Sequence, residues 1–318
     1  MDVQGLKRLV EAIKNNINRV IIGKSDVVEL LITALLSNGH VLLEDVPGTG
    51  KTMLAKSLAK SIDADFKRIQ FTPDLLPSDI TGLNYYNQKE GEFTFRSGPA
   101  FTNILLADEI NRATPRTQSS LLECMEERQI TIDGESHLLK RPFLVIATQN
   151  PVETAGTYPL PEAQLDRFMM QLSVGFPSFN EEINILERFI DDDPIARLSP
   201  VCSLDDLLVA QRAVHSVYVH PVLMEYIIAI TQKTRDNKSV ILGASPRGSL
   251  ALLRTVQAYS AIKGLSYATP EIIKYLAPYV LAHRLVLRAT FQKSETTLDI
   301  MNSILSDIPV PTETFQKD

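Results

Sequence analysis

The chain has 318 residues, with 32 Lys and Arg against 38 Asp and Glu, a formal net charge of −6 and a pI near 5.5. Its length suits about two domains, and its 44% hydrophobic content and mean hydropathy of +0.00 are typical of a soluble globular protein. The acidic balance argues against a protein that binds nucleic acid by broad phosphate neutralisation, because that mode needs clustered Lys and Arg. DNA binding would require a local pore or groove.

The sequence also indicates a compartment. No apolar stretch reaches the roughly 18 residues of a membrane span, and the first residues lack the basic and apolar regions of a secretion signal. The two cysteines, Cys124 and Cys202, have no metal-ligand spacing and cannot form a disulfide framework, which agrees with a reducing compartment. We therefore expect a cytoplasmic protein without a membrane span, in which Cys124 packs within a helix.

Two helices are predicted at the start of the chain. Apolar residues from Leu6 to Ile17 recur at the spacing of one helix face, which predicts an amphipathic first helix. Residues 27–36 are apolar on nearly all sides, so we expect the second helix to be buried.

A strand, a glycine loop and a helix are predicted over residues 41–62. Residues 41–43 form a short apolar run, and an apolar residue recurs every four positions from Leu54 to Ile62. This context favours a phosphate-binding loop over an ordinary loop, because backbone N–H groups and the helix N-terminus then face one anion. Lys51 is expected to reach the β- and γ-phosphates, and the Thr52 hydroxyl to ligate Mg²⁺. The predicted nucleotide contacts are Val46, Pro47, Gly48, Thr49, Gly50, Lys51, Thr52 and Met53.

The loop departs from the consensus at its first position, where Asp45 replaces glycine. Asp tolerates unusual backbone angles better than most residues, so we expect the turn to form. The open question is the effect of Asp45 on loop geometry and nucleotide affinity.

Further strands alternate with helices up to residue 176. Strands are predicted at 66–71, 104–107, 143–147 and 169–172, which implies a parallel sheet with helices on both faces. Two hairpins are predicted at 85–95 and 129–139, the second from its Asp-Gly turn. The hairpin tips could be functional, and a plain surface excursion is the alternative.

Residues 177–318 form the predicted second domain. Helices are expected at 180–190, 203–217, 221–235, 246–263 and 270–288. The acidic run 191–193 is interpreted as a solvated loop, because three adjacent residues do not converge on one ion.

Asp108 and Glu109 follow the apolar run 104–107 and supply a second requirement for nucleotide cleavage. A carboxylate at the end of a neighbouring strand can hold the Mg²⁺ shell, the role assigned to Asp108. Glu109 can orient and deprotonate the attacking water, which needs a carboxylate within one hydrogen bond of it. The alternative is a charged pair at a strand end.

Several stretches resemble the MoxR family of AAA+ ATPases. They are 107–113, 117–119, 123, 125–127, 147–151, 156–168 and 243–247. The run Gly-Thr-Tyr-Pro-Leu-Pro-Glu-Ala-Gln-Leu-Asp-Arg-Phe at 156–168 is the most diagnostic. The resemblance covers nearly the whole chain and implies an α/β AAA+ core with a five-stranded parallel sheet, followed by an all-α lid. It implies an insert in the second helix of the AAA+ core at about 80–99, and a hairpin at 129–139 that precedes the residue called sensor 1. In related AAA+ proteins, which assemble into rings, both elements project toward the centre of the ring.

The resemblance also assigns roles to single residues. Asn150 resembles sensor 1, which lies on the strand between those of the phosphate loop and Asp108; the alternative is an Asn-Pro turn. Arg167 resembles the arginine finger supplied across a subunit interface, with a local pair to Asp166 as the alternative. Arg247 resembles sensor 2, which would link lid position to the γ-phosphate; an exposed arginine at a helix start is the alternative.

Ile22 and Gly23 resemble the loop on the adenine side of the nucleotide. Apolar packing and backbone hydrogen bonds suit a base at that position.

The leading hypothesis is an ATP hydrolase that uses Mg²⁺, forms a ring and remodels partner proteins. The resemblance implies that the ring is a hexamer. The resemblance implies clients with von Willebrand factor A domains. A nucleic-acid motor is the first alternative, since helicase relatives share the inserts, but the acidic composition and the lack of a DNA-binding appendage argue against it. A nucleotide-dependent binding switch and a nucleoside kinase are further alternatives. Asp108 and Glu109 disfavour the switch, and the helical second domain disfavours the kinase.

Overall fold

The computed structural model describes residues 1–152, 156–190, 194–288, 295–312 and residue 315. Along the chain, a sheet with flanking helices, here called the core, is followed by a mainly helical region, here called the lid. The core helices are α1 (Val3–Asn18), α2 (Ser25–Leu36), α3 (Lys51–Ser61), α4 (Pro77–Thr81), α5 (Pro115–Glu127) and α6 (Glu162–Leu165). The lid helices are α7 (Phe179–Arg188), α8 (Leu204–Val214), α9 (Pro221–Asp236), α10 (Pro246–Ile262), α11 (Pro270–Leu281) and α12 (Thr297–Asp307).

The strands that the structure describes form one large sheet and three small ones. In the core they are β1 (Val41–Glu44), β2 (Phe66–Gln70), β3 (Gly82–Asn87), β4 (Glu92–Ser97), β5 (Ile104–Asp108), β6 (Gln129–Ile132), β7 (Glu135–Leu138), β8 (Leu144–Gln149) and β9 (Met170–Leu172). In the described part of the chain, the large sheet has five strands in the order β2-β5-β8-β1-β9, with every pair parallel. Because the strands are parallel, the carboxyl ends of β1, β5 and β8 meet at one edge, where ligands bind in open α/β sheets.

Both predicted hairpins are present, as β3 with β4 and β6 with β7. They contact each other, which the sequence did not indicate. Asn84 Nδ2 donates to Asp133 Oδ2 at 2.8 Å, and the Phe95 ring stacks on His137 with centroids 4.5 Å apart. The exposed aromatic residues Tyr86 and Phe93 lie on the first hairpin.

The lid differs from the predicted elements at its carboxyl-terminal part. The helix expected over 270–288 ends at Leu281 and continues as a short 3-10 helix, Ala282–Arg284. The chain turns there because His283 and Arg284 are buried against the core. Strands β10 (Val240–Leu242) and β11 (Val286–Leu287) form a small antiparallel pair, and neither they nor α12 were predicted. The acidic run 191–193 lies outside the described residues.

Core and lid share one hydrophobic cluster. Residues 28–36 of α2 are all buried, as expected for a helix that is apolar on nearly all sides. Lid helix α10 packs against α1 and α2, and α11 packs against strand β9. Leu31 of α2 and Leu252 of α10 are both fully buried members of this cluster. The lid is therefore held to the core over a broad apolar surface.

A second buried cluster lies on the other face of the sheet, between β5, β8 and α5. Cys124 of α5 belongs to it, in agreement with the expected packing role, and burial raises the pKa of its thiol to about 12. Among the described residues, no helix has the length and apolar composition needed to cross a lipid bilayer.

Candidate nucleotide-binding site

The loop between β1 and α3 has the backbone of a phosphate-binding loop. Gly48 and Gly50 have φ of +87° and +85°, in the left-handed region that favours glycine. No atom lies within 4 Å of where a Cβ would stand at either position, so conformation rather than crowding requires glycine there. Gly50 is the N-cap residue of α3, which begins at Lys51. The unpaired N–H groups of the first turn of α3 are therefore next to the loop.

Asp45 does not adopt a glycine-like backbone conformation, because its φ is not positive. Its buried carboxylate accepts from three donors in the segment after β9: Ser173 Oγ at 2.8 Å, Val174 N at 2.6 Å and Gly175 N at 3.0 Å. The replacement of glycine thus leaves the turn intact, and it ties the phosphate loop to the chain that leads into the lid.

Lys51 extends back over the loop. Its Nζ donates to the carbonyl oxygens of Asp45 and Val46, both at 2.9 Å. Burial lowers the pKa of Lys51, while Asp45, Asp108 and Glu109 oppose that shift. The ammonium group is thus held among acceptors at the mouth of the loop, where a phosphate oxygen could bind it.

A cavity of about 220 Å³ beside the loop brings most of the predicted site residues together. They are Pro47, Gly48, Thr49, Gly50, Lys51, Thr52, Met53, Asp108, Glu109 and Asn150. Val46 does not line this cavity, and its carbonyl oxygen instead accepts from Lys51 and from Thr49 Oγ1.

The two acidic residues are held by Thr148 of β8. Its Oγ1 donates to Asp108 Oδ1 at 3.1 Å and accepts from Glu109 N at 2.9 Å. Glu109 has a φ of +55°, an uncommon conformation for a non-glycine residue, at the turn where β5 ends. This turn directs the two successive carboxylates into the same cavity.

Two residues of strand β2, Arg68 and Gln70, also belong to this site and were not predicted from the sequence. Arg68 Nε donates to Asp108 Oδ2 at 2.6 Å, and Gln70 Nε2 donates to Glu109 Oε2 at 2.6 Å. Both line the cavity, because Gln70 pairs with Asp108 in the β2–β5 register. Arg68 and Gln70 are polar residues at alternate positions of β2, so they were predictable as neighbours on one face of that strand. Their contact with Asp108 and Glu109 could be predicted only with the knowledge that β2 pairs with β5.

The oxygen atoms in the cavity suit a hard cation. The Thr52 hydroxyl and the Asp108 carboxylate both line it, and these are ligand types that Mg²⁺ prefers. Within the described ranges no group of three or more His, Cys, Asp or Glu side chains could hold a metal by itself. Mg²⁺ suits such a site, because it retains waters and uses phosphate oxygens as further ligands.

Asn150 follows β8, which lies between the strands of the phosphate loop and of Asp108 as the resemblance implied. Its side chain lines the cavity, and its Oδ1 accepts from Val152 N at 3.1 Å.

An apolar cavity of about 180 Å³ adjoins the loop and shares Gly48, Thr49, Gly50 and Met53 with the first cavity. Its remaining lining comes from the α1–α2 connection, including Ile22, from Leu54 of α3, and from residues 174–189, which lead from the core into the lid. Gly23 lies beside it with a φ of +71°, and a Cβ there would stand 1.6 Å from Glu181 Oε1 of α7. The absence of a side chain at Gly23 thus lets the first lid helix approach the core.

Arg167 and Arg247 lie together elsewhere. They line a cavity of about 340 Å³, here called the arginine cavity, with Arg128, Arg254 and Arg284. Neither Arg167 nor Arg247 lines the two cavities beside the phosphate loop. Arg247, at the start of α10, forms an ion pair with Glu126 of α5.

Arg167 does not form the local pair with Asp166 that its sequence position allows. The Asp166 carboxylate instead accepts from Arg284 and Ser245 of the lid. Among the residues that the structure describes, none forms a hydrogen bond or ion pair with the half-buried Arg167 side chain. Its guanidinium group is thus available to an anion from outside the chain.

The parallel sheet, the phosphate loop and the helical lid define a P-loop nucleotide-binding protein with an AAA+ architecture. Two family models match: the ATPase family associated with various cellular activities over residues 40–170, and the AAA lid domain over residues 232–304.

Relatives match over almost the full chain. The protein YeaC of Bacillus subtilis is 54% identical over 300 residues, covering 94% of this chain and 93% of its own. Chaperone MoxR1 of Mycobacterium tuberculosis is 41% identical over 98% of this chain and 83% of its own. A crystal structure of a protein assigned as an ATPase from Cytophaga hutchinsonii has a TM-score of 0.90 at 36% identity, covering 98% and 97% of the two chains. The chain belongs to the MoxR family of AAA+ ATPases, which confirms the predicted family and fold class.

Proposed function

We propose that this protein hydrolyses ATP with Mg²⁺ at the phosphate loop and that the reaction is completed by a neighbouring copy in a ring. The observation that carries the proposal is that the acidic residues and the two predicted catalytic arginines line different cavities. The phosphate loop and the carboxylates of Asp108 and Glu109 share one cavity, whereas Arg167 and Arg247 line another. The hexamer is our expectation for the ring.

Each residue of the first cavity has a role in this proposal. Backbone N–H groups of the loop and the Lys51 ammonium bind the β- and γ-phosphates. Mg²⁺, held by Thr52 and Asp108, would offset charge on the phosphate oxygens. Glu109 orients the attacking water and accepts its proton, and the hydrogen bond from Gln70 and the ion pair with Arg112 hold its carboxylate. Asn150, as sensor 1, contacts the γ-phosphate and the water.

The second copy supplies positive charge. Negative charge develops on the transferred phosphoryl group, and an arginine finger stabilises it by about 10³ to 10⁵ in rate in other NTPases. Arg167 suits that role because no carboxylate of its own chain among the described residues engages it. Arg247 lines the same cavity, so we assign it to the neighbour's nucleotide as well.

We further propose that hydrolysis remodels partner proteins, with von Willebrand factor A domain proteins as the clients. The name Chaperone MoxR1 carried by a relative that is 41% identical supports a protein client. The hairpins at 82–97 and 129–138 offer a surface for contact, with Tyr86 54% and Phe93 73% exposed. We place the protein in the cytoplasm.

Glu109→Gln tests the assigned base. We expect ATP turnover to fall by about 10² to 10⁴, because the amide cannot accept the proton, while nucleotide affinity is retained. Glu127→Gln, at an exposed position of α5, is the matched control and should turn over ATP like the wild type. Wild-type turnover in Glu109→Gln would remove Glu109 from the mechanism.

Mixing inactive subunits tests the shared site. Arg167→Ala subunits keep a phosphate loop and Lys51→Ala subunits keep a finger, so a mixture should contain some complete sites. We expect each variant alone to be nearly inactive and the mixture to recover part of the wild-type rate. Failure of every mixing ratio, with rings formed, would contradict a finger supplied in trans.

Co-purification with Glu109→Gln tests the client class. The variant should hold ATP and client together, so proteins with von Willebrand factor A domains should be enriched in ATP relative to ADP. Lys51→Ala serves as the control that cannot hold ATP. The client assignment fails if no such protein is enriched over that control.

A further inference from the structure

The turn that carries Arg167 is held by three lid side chains, Ser245, His283 and Arg284, here called the lid clamp. Arg284 Nη1 donates to Asp166 Oδ1 at 3.0 Å and to the Asp166 carbonyl oxygen at 3.1 Å. Ser245 Oγ donates to the other carboxylate oxygen, Oδ2, at 3.0 Å. Both carboxylate oxygens and the carbonyl oxygen of Asp166, the residue before Arg167, therefore accept hydrogen bonds from the lid.

The residue after Arg167 is held by the same group. Arg284 Nη2 donates to the carbonyl oxygen of Phe168 at 2.8 Å, and His283 Nε2 lies 3.2 Å from that oxygen. The Phe168 side chain is fully buried. Arg284 thus bridges the residues on both sides of Arg167 with one planar guanidinium group, a geometry that a lysine ammonium cannot reproduce.

The clamp is buried and charged. The side chain of Arg284 is only 2% exposed, and that of Asp166 is 22% exposed. Removal of either partner of such a pair is strongly destabilising, because it leaves the other charge buried and uncompensated. Because Asp166 is bound to Arg284 and Ser245, the carboxylate adjacent to Arg167 in the sequence is already engaged.

We propose that the lid clamp is a positioning device for the arginine finger: it fixes the turn at 166–168 and keeps Asp166 away from Arg167, so that Arg167 can reach a neighbour's phosphate. The inference rests on the proposed function, in which Arg167 acts in trans. Ser245 lies two residues before Arg247. The start of α10 carries Arg247, and its N-cap residue Ser245 is bonded to Asp166, next to Arg167. A movement of the lid would therefore shift both arginines.

Arg284→Lys and Ser245→Ala test the clamp. Lysine keeps the charge that balances Asp166 but cannot hold both flanking residues, so ATP turnover should fall by about a hundredfold, as for a catalytic group misplaced by about 1 Å. Ser245→Ala removes one neutral donor and should cost about fivefold. Nucleotide affinity should remain within about twofold of wild type for both, because the phosphate loop is unchanged.

Mixtures separate a misplaced finger from a general defect. An Arg284→Lys subunit keeps its phosphate loop and a Lys51→Ala subunit keeps its finger, so their mixture should regain activity. A mixture of Arg284→Lys with Arg167→Ala should regain none, because every finger in it is defective. Gln211→Ala is the matched control, since it removes another buried lid-to-core hydrogen bond, to the Leu35 carbonyl oxygen at 2.7 Å, and should keep wild-type turnover.

The outcomes separate this inference from the proposed function. If Arg167→Ala with Lys51→Ala regains activity but Arg284→Lys with Lys51→Ala does not, the positioning role is wrong while the shared site stands. Wild-type turnover in Arg284→Lys, or loss of its nucleotide affinity, also overturns the positioning role. If Arg167→Ala with Lys51→Ala stays inactive, the finger in trans is wrong, and the clamp loses its purpose.

Discussion

The phosphate loop is one contiguous stretch of chain, whereas the arginine cavity gathers side chains from the core and the lid. Residues 45–53 contain the glycines, the lysine and the threonine of the first region, and a single strand-to-helix turn arranges them. Arg128, Arg167, Arg247, Arg254 and Arg284 come from four separate segments of the chain and line one cavity where the lid packs against the core. The first region has the glycine conformations and the lysine that suit a phosphate group, and the second carries positive charge that suits an anion brought by another molecule.

The two regions are joined through the chain between them. The Asp45 carboxylate accepts hydrogen bonds from residues 173–175, which lead into the lid. Arg284 of the lid donates to Asp166, in the turn that carries Arg167. Since core and lid share one hydrophobic cluster, a displacement of the lid would shift both regions. The following substitutions test this division of roles, in order of expected effect.

Lys51→Ala should have the largest effect and should be confined to the first region. Loss of the ammonium group held at the mouth of the loop should weaken ATP binding by about a hundredfold or more, as removal of a charged hydrogen-bond partner of a polyanion predicts. Titration with a fluorescent ATP analogue measures it. Lys56→Ala, at an exposed position of the same helix, should bind normally. Equal effects of the two substitutions would contradict the role of Lys51.

Arg247→Ala tests whether the second region serves a neighbour. If Arg247 acts in trans, ATP turnover should fall by about tenfold or more with little change in affinity, and mixing with Lys51→Ala subunits should restore part of it. Turnover of the mixtures across a range of ratios is the measurement. No recovery with Lys51→Ala, combined with weaker nucleotide binding, would instead assign Arg247 to its own phosphate loop.

His40 predicts a pH dependence of stability in the second region. Burial lowers the pKa of His40 to about 3, and Arg128 adds to the shift. Its Nδ1 accepts from Val145 N at 2.9 Å, so Nε2 carries the hydrogen that it donates to the Met125 carbonyl oxygen at 3.0 Å. The unfolded chain takes up a proton below the ordinary pKa of 6.5 and the folded chain does not. Stability is therefore lost as pH falls from 6.5 toward 3.

Urea unfolding at pH 7 and pH 5 checks this effect. The contribution of His40 to the free energy of unfolding should fall by about 2 kcal/mol between these values. His40→Gln should show a correspondingly weaker pH dependence, whereas exposed His215→Gln should retain that of the wild type. Identical pH dependence in wild type and His40→Gln would rule out a neutral buried imidazole.

Asp45→Ala tests the link from the loop to the lid. It leaves the donors of Ser173, Val174 and Gly175 without their acceptor, which should cost about 2 kcal/mol of stability. ATP affinity should fall severalfold, because Val174 lines the apolar cavity beside the loop. Differential scanning fluorimetry and nucleotide titration measure both. Asp45→Asn, which keeps one acceptor oxygen, should fall between wild type and Asp45→Ala; unchanged stability in Asp45→Ala would remove the link.

Local sequence was sufficient to predict the fold class and the strand, loop and helix around Lys51. A phosphate loop depends on glycine conformations and a helix start within a dozen residues, and alternating strands and helices imply a parallel sheet. The sequence also placed Asp108, Glu109 and Asn150 just after predicted strands. Because the carboxyl ends of parallel strands meet at one edge of the sheet, this was enough to predict that the three residues lie near each other. Residues 285–288 were wrongly predicted as helix and residues 282–284 form a 3-10 helix instead of an α-helix, because the burial of His283 and Arg284 against the core has no local signal.

Tertiary structure decided which side chains meet across long separations in the chain. The partners of Asp108 and Glu109 on β2 depend on strand order, and the bond between Arg284 and Asp166 joins residues 118 positions apart. By itself the sequence determined that the chain has a phosphate loop with acidic partners in an AAA+ core. Only the packing of the lid on the core determined that Arg167 and Arg247 line one cavity and that Arg284 holds the turn that carries Arg167. Such contacts depend on the burial of distant surfaces rather than on neighbouring residues.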